Sequence, residues 1–202
     1  MKFIQKGNEP EAWKAYRLTE GVKFTAIPEL KNALLLEQGH LCCYCMSRIN
    51  FDTMKVEHWK ARRYKDFVLA YNNLMAACEG NFCTDKHCDT RKADDEISIN
   101  PTFAINNVEN IISYKWSDGR LVYLSEYKSD IETILVLNNF VLKRNRLSVL
   151  DGVIQVLKLK NYSKSECQKQ LDKFQKRDKS GRFQPYCMVA VRFLEKKMKQ
   201  YK

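Results

Sequence analysis

Six of the chain's eight cysteines and two of its three histidines fall between residues 42 and 92. Cys42 and Cys45 form a C-x2-C pair, and Cys78, Cys83 and Cys88 follow about thirty residues later. Two groups of thiols separated by a long loop suit a tetrahedral zinc site, because each group offers two thiolates and the loop closes over the ion. Spacing alone leaves Cys83 and Cys88 as alternatives for the fourth ligand. Between the groups lie Glu57-His58 and Asn72-Asn73-Leu74.

Hydrolysis of a phosphodiester needs a base to activate water, a cation to neutralise charge on the phosphoryl group and leaving oxygen, and a frame that holds both in register. This stretch has a candidate for each. His58 suits the base, since imidazole titrates near neutrality. Glu57 is a hard oxygen ligand of the kind Mg²⁺ takes, and Asp89 is a second. Asn73 can hydrogen-bond backbone across a strand turn and so orient His58. Lys92 and the basic run Lys60, Arg62, Arg63 and Lys65 are candidates to hold a phosphate backbone.

Those residues need elements to position them. Residues 28–39, PELKNALLLEQG, read as a short helix, with proline in the first turn and Gly39 at a left-handed cap. It delivers the chain to Cys42. Residues 46–59 alternate roughly in polarity, which predicts two short strands joined by a tight turn, with Glu57-His58 ending the second. Adjacent strand side chains point to opposite faces, so this pair can serve one site only where the strand ends or distorts. Residues 66–78 read as helical or loop-like. Residues 110–125 form the clearest hairpin, around Asp118-Gly119. From Glu126 the pattern turns helical, for three or four helices, with Gly152 weakening one and residues 179–182 separating the last two. Phe3, Ile4, Trp13, Tyr16 and Phe24 make residues 1–27 a segment that docks against something apolar. Cys43, Cys167 and Cys187 fit core packing, as do Trp59, Phe67 and Tyr71, and His40 fits a local hydrogen-bonding role.

A chain of 202 residues with 45% hydrophobic content is expected to fold as one ordinary domain plus a smaller module. No run of eighteen apolar residues occurs, and the charged start MKFIQKGNEPEAWKAY lacks the apolar core of a signal peptide, so a cytoplasmic protein without membrane association is expected. In that reducing compartment clustered cysteines serve metals rather than disulfides. The net charge of +11 is uneven: residues 139–202 have 17 Lys or Arg against 5 Asp or Glu, and residues 1–138 have 18 against 19. Clustered cations of this kind favour a polyanionic partner through counterion release.

Taken together, Cys42-x2-Cys45, Glu57-His58, Asn73-Leu74 before Cys78, and Cys88-Asp89 with Lys92 three further on resemble the cysteine-bearing branch of the HNH endonucleases. The opening MKFIQKGNEP and the phrase HCDTRKADDEISINPTF are similar to the HNH proteins of Septu and retron anti-phage systems, the PtuB group. This resemblance implies an α+β chain: a zinc-stapled ββα-metal HNH module over residues 28–125 that includes a β-hairpin, flanked by the docking segment 1–27 and a basic helical region 126–202. It implies His58 as general base, Glu57 as ligand of Mg²⁺ or another divalent cation, Asn73 as stabiliser of the strand turn, and Cys42, Cys45, Cys78 and Cys88 as zinc ligands. The last motif position, commonly His or Asn, falls on Asp89, with His87 as a rival. The implied activity is cleavage of nucleic acid, DNA first and tRNA as the alternative, beside an ATPase of the PtuA type. A zinc-bearing binding module without catalysis, or a regulatory subunit, is the competing reading.

Overall fold

The computed structural model describes residues 1–81 and 85–201, so Cys83 lies outside the described residues. The chain is α+β, with two small antiparallel strand pairs among several helices. Helix α1 spans Glu11–Arg17 and α2 spans Pro28–Glu37, with proline in its first turn. Gly39, at φ +58°, ends α2, and the His40 amide returns to the Leu35 carbonyl at 2.9 Å, which satisfies a carbonyl the helix would otherwise leave open.

Strand β1, Met54–His58, pairs antiparallel with β2, Leu74–Cys78, placing His58 opposite Leu74 and Met54 opposite Cys78. This differs from the expected hairpin within residues 46–59. Only an isolated bridge from Leu41 to Arg48 forms there, and the partner of β1 comes from the stretch expected to be helical or loop-like. Every residue of β2 is buried, so the polar alternation that marks a half-exposed strand is missing from LMAAC. The free edge of β2 is covered: Ala76 exchanges hydrogen bonds with the Gln38 side chain at 2.7 Å in both directions, and its carbonyl also accepts from the Cys43 amide. A short helix α3, Cys88–Lys92, follows β2.

After α4, Val108–Ile111, strands β3, Ser113–Lys115, and β4, Arg120–Val122, form the expected hairpin around Asp118-Gly119. The helix expected from Glu126 is instead a short turn and a π-helical stretch, Ser129–Ile134. It still buries Ile131, Leu135 and Leu137, but Asn139 caps a new helix three residues on. That helix, α5, runs Phe140–Leu159 straight through Gly152, whose α-carbon faces open space. Helices α6, Lys164–Gln175, and α7, Cys187–Met198, complete the C-terminal region, with residues 179–182 between them as expected.

One apolar cluster runs from Met1 to Leu194 and includes the interior of both strand pairs. The first 27 residues pack onto it: the Trp13 ring is fully buried, its indole N–H donates to the Leu69 carbonyl, and it stacks with Tyr16 and meets Phe24 edge-on. No helix among the described residues is long and apolar enough to cross a membrane.

Candidate active site and metal centre

The thiols of Cys42, Cys45, Cys78 and Cys88 converge, all four sulfurs lying within 4.8 Å of one another and all four residues buried. A tetrahedron with Zn–S bonds of about 2.3 Å has edges of about 3.8 Å. The Cys45–Cys78 separation of 3.6 Å is close to that value, so this donor set fits a structural zinc ion. Cys42 and Cys45 sit on a tight turn closed by Met46 N–H to the Cys42 carbonyl; the Ser47 amide donates to the Cys45 sulfur at 3.4 Å, and that thiol donates to the Ser47 hydroxyl oxygen at 3.1 Å. An amide donor of this kind stabilises a thiolate on a metal. Cys78 ends β2 and Cys88 opens α3.

Between them, Gly80 is held at φ +73°, and a side chain there would meet the His87 carbonyl oxygen at 1.7 Å. His87 is fully buried on the sulfur side, with Nε2 3.9 Å from the Cys78 sulfur and Nδ1 3.2 Å from the Asp85 carbonyl. Cys43, Cys167 and Cys187 are buried outside the four-thiol cluster.

Helix α3 joins this centre to a second one. Its first residue supplies a thiol, its second supplies Asp89, and Lys92, one turn on, points inward. Glu57, Val56, His58, Ala61, Arg62, Asp89, Ala93 and Asp94 line an open cleft of about 280 Å³. Glu57 and His58 reach the same cleft because β1 ends at His58, where the chain turns away.

The Glu57 carboxylate is almost fully buried. Its Oε1 accepts from the Tyr44 hydroxyl and from the Lys92 ammonium, each at 2.9 Å. Tyr44 belongs to the cysteine turn, so the sulfur cluster and the cleft share a rigid link. Burial pushes the Glu57 carboxyl up to about 8; Lys92 opposes this, and the adjacent Asp89 carboxyl, within hydrogen-bonding reach, adds to it. Two neighbouring carboxyls in a partly buried cleft suit a divalent cation, which relieves their repulsion with hard oxygen donors.

His58 is held from two sides. Its Nε2–H donates to the Val68 carbonyl at 3.0 Å, which leaves Nδ1 as an acceptor, and Arg62 Nε–H donates to that nitrogen at 3.3 Å. Phe24 packs edge-on against the ring at 4.5 Å between centroids. Burial lowers the imidazole to about 4, with the Arg62 charge contributing, so the ring is neutral at physiological pH. Asn73 makes no hydrogen bond to the ring. Its side-chain oxygen accepts from the Lys60 amide at 2.7 Å and its amide donates to the carbonyls of Lys60 and Phe67, each at 3.0 Å. It therefore fixes the loop that leaves β1 and carries Val68 back to His58.

The expected phosphate contacts separate into three groups. Arg62 borders the cleft. Lys60 and Arg63 both turn to Glu96, and Arg63 also reaches the Asp94 carbonyl. Lys92 is not on the surface at all: it is fully buried, paired with Glu57, and donates to the His58 carbonyl at 3.0 Å. Its place is beneath the cleft, holding the backbone and carboxyl of neighbouring residues. Tyr44 and Phe24 were not singled out for the site from sequence. Tyr44, lying inside the C-x2-C pair, is the only one of the two with a signal near a motif.

No family model matches the chain. A distant relative does: the protein named "Retron Vc95 putative HNH endonuclease" of Vibrio cholerae serotype O1 biovar El Tor is 26% identical over 137 residues, 64% of this chain and 67% of that protein.

Proposed function

We propose that this chain is a metal-dependent endonuclease of the HNH type with a ββα-metal core, hydrolysing phosphodiester bonds of nucleic acid. The observation that carries this reading is the convergence of Glu57, His58 and Asp89 on one cleft, next to a buried four-thiol cluster that fits a zinc ion. Distant similarity to the retron protein supports it.

In this reading His58 accepts a proton from water at Nδ1 once Arg62 has turned from that nitrogen to the phosphate, while the Val68 carbonyl holds Nε2–H and so keeps the ring in that tautomer. Arg62, at the mouth of the same nitrogen, draws the phosphate next to the base. Glu57 and Asp89 would hold Mg²⁺ or another divalent cation, which when bound neutralises charge on the phosphoryl group and leaving oxygen. Lys92 and Tyr44 fix the Glu57 carboxylate, and Asn73 fixes the loop behind His58. DNA is the first choice of substrate and tRNA the second. The proposed setting is the cytoplasm, as the nuclease effector of a Septu or retron type defence system with a PtuA-type ATPase partner.

The test is incubation of the purified protein, alone and with such an ATPase, with duplex DNA, single-stranded DNA and tRNA, in Mg²⁺ and in EDTA. Cleavage in Mg²⁺ but not in EDTA is expected. His58→Ala is expected to lower its rate by ~10² to 10⁴ while leaving zinc content and nucleic-acid binding unchanged. Undiminished cleavage by His58→Ala defeats the assignment of the base. Binding without cleavage under every condition favours a non-catalytic zinc module. Comigration with the ATPase in size-exclusion chromatography supports the partnership, and independent elution at micromolar concentration counts against it.

A further inference from the structure

The candidate cleft does not end at Asp89. A second cleft of about 390 Å³ adjoins it, sharing Val56, Arg62 and Asp89 as a common wall and extending along the outer face of β1 to Lys31 and Lys55. Lys31 lies on α2, and its ammonium sits 3.9 Å from the Phe51 ring centroid. Lys55 is the outward-facing position of β1 and pairs with Glu79 at 3.4 Å, both side chains about half exposed. An exposed pair of this kind is worth little and exchanges readily for a better anion. Arg62 lies over Phe24 at the junction of the two clefts. Three cations, Arg62, Lys55 and Lys31, therefore line this second cleft. Asp52 and Asp89 are the acidic residues in the same lining, and the nuclease reading gives Asp89 to the cation site.

We propose that this second cleft is the track for the nucleic-acid strand on one side of the scissile phosphate, with Lys31 and Lys55 neutralising successive backbone phosphates and Arg62 the phosphate at the junction. The proposal rests on the nuclease reading above and adds the direction from which substrate enters. It assigns affinity near the site to two lysines at the N-terminal side of the fold rather than to the more basic helices of residues 139–202.

The double reversal Lys31→Glu/Lys55→Glu tests it in the full chain, with Lys31→Gln/Lys55→Gln as a milder variant and Lys164→Glu/Lys169→Glu, at two exposed positions of α6, as a charge-matched control. Binding of fluorescein-labelled duplex DNA, single-stranded DNA and tRNA is measured against salt concentration. Two lost phosphate contacts should reduce the slope of log K against log salt by about 1.4 to 1.8. KM should rise at least about tenfold with kcat within about threefold, because uniform binding is lost and the reacting groups are untouched. The glutamine pair should follow in the same direction, the α6 control should match wild type, and zinc content should stay unchanged in all. A double reversal with wild-type slope and KM, alongside an inactive His58→Ala, overturns the track and leaves the nuclease reading standing. An equal loss in the α6 control also overturns it, since affinity would then be diffuse. A wild-type protein that binds none of the three probes removes both proposals together.

Discussion

Glu57 is costly to bury, and its surroundings show how the cost is met. Its carboxylate and the Lys92 ammonium are both nearly inaccessible to water, 2.9 Å apart, with the Tyr44 hydroxyl on the same oxygen. Removing one partner of such a pair strands the other, a loss of about 3 to 5 kcal/mol, whereas replacing both with apolar groups of similar size is often close to neutral. Above about pH 8, where the Glu57 carboxyl is ionised, Lys92→Met should therefore lower the unfolding free energy in urea by about that amount, and Lys92→Met/Glu57→Leu should recover most of it. A double variant no more stable than the single one would mean that Lys92 matters through packing rather than charge. Tyr44→Phe removes a hydrogen bond to a charged group, for which about 1.5 to 3 kcal/mol is expected, with the zinc content unchanged. Lysine is rarely fully buried, so Lys92 reads from sequence as a surface phosphate contact. Its inward position follows from α3, where residues three and four apart share a face and Lys92 lies beside Asp89 and Cys88. Nothing in the bare sequence shows that this face is turned to the interior.

The elements that hold these residues were legible unevenly. Helix α2, with its N-terminal proline and glycine cap, and the β3–β4 hairpin, with its Asp-Gly turn, follow from local backbone preferences and stand where those preferences place them. The β1–β2 pair was missed because its two strands are separated by a loop and because β2, sealed on both faces and along its outer edge, shows no alternation. A second group of thiols converging on Cys42 and Cys45 was legible in their spacing, but spacing left Cys83 and Cys88 open, and Cys88 was preferred for its place just before Asp89 and Lys92. The reach from Tyr44 to Glu57 was not legible, since it depends on how the cysteine turn packs against β1. Metal should be the main fastener of this unit. Cys88→Ser should drop zinc from one ion per chain to none by elemental analysis, whereas Cys43→Ala, one residue from a ligand but outside the cluster, should keep it. Retained zinc in Cys88→Ser would exclude that residue from the donor set. Gly80→Ala places a Cβ into the His87 carbonyl at positive φ. Backbone strain alone costs about 1 to 3 kcal/mol there, so a lower melting temperature and faster loss of zinc to a chelator are expected.

Across the whole molecule, the segment between the basic C-terminal helices is fastened to the cysteine turn and the end of α2 by hydrogen bonds to backbone carbonyls. The Tyr186 amide donates to the Met46 carbonyl at 3.0 Å, the Phe183 amide to the Gly39 carbonyl at 3.1 Å, and Arg48 reaches the Phe183 carbonyl. Arg177 caps the end of α2, donating to the carbonyls of Leu36 and Glu37 at 2.6 and 2.8 Å. Trp116, in the β3–β4 hairpin, meets Phe193 of α7 edge-on. These helices thus rest on the turn that carries Cys42 and Cys45, and the apolar cluster continues across the junction. Loss of metal should therefore propagate into them. Stripping zinc with a strong chelator is expected to lower the thermal transition of the far-UV helical signal, dominated by α5, α6 and α7, together with that of tryptophan fluorescence, as one coincident step. Arg177→Ala should shift that shared step downward without splitting it, because it weakens the seam from the helical side. If the helical signal instead melts at an unchanged temperature after chelation while fluorescence moves, the C-terminal helices form a body that folds independently of the cysteine turn, and the hydrogen bonds between them contribute little to either.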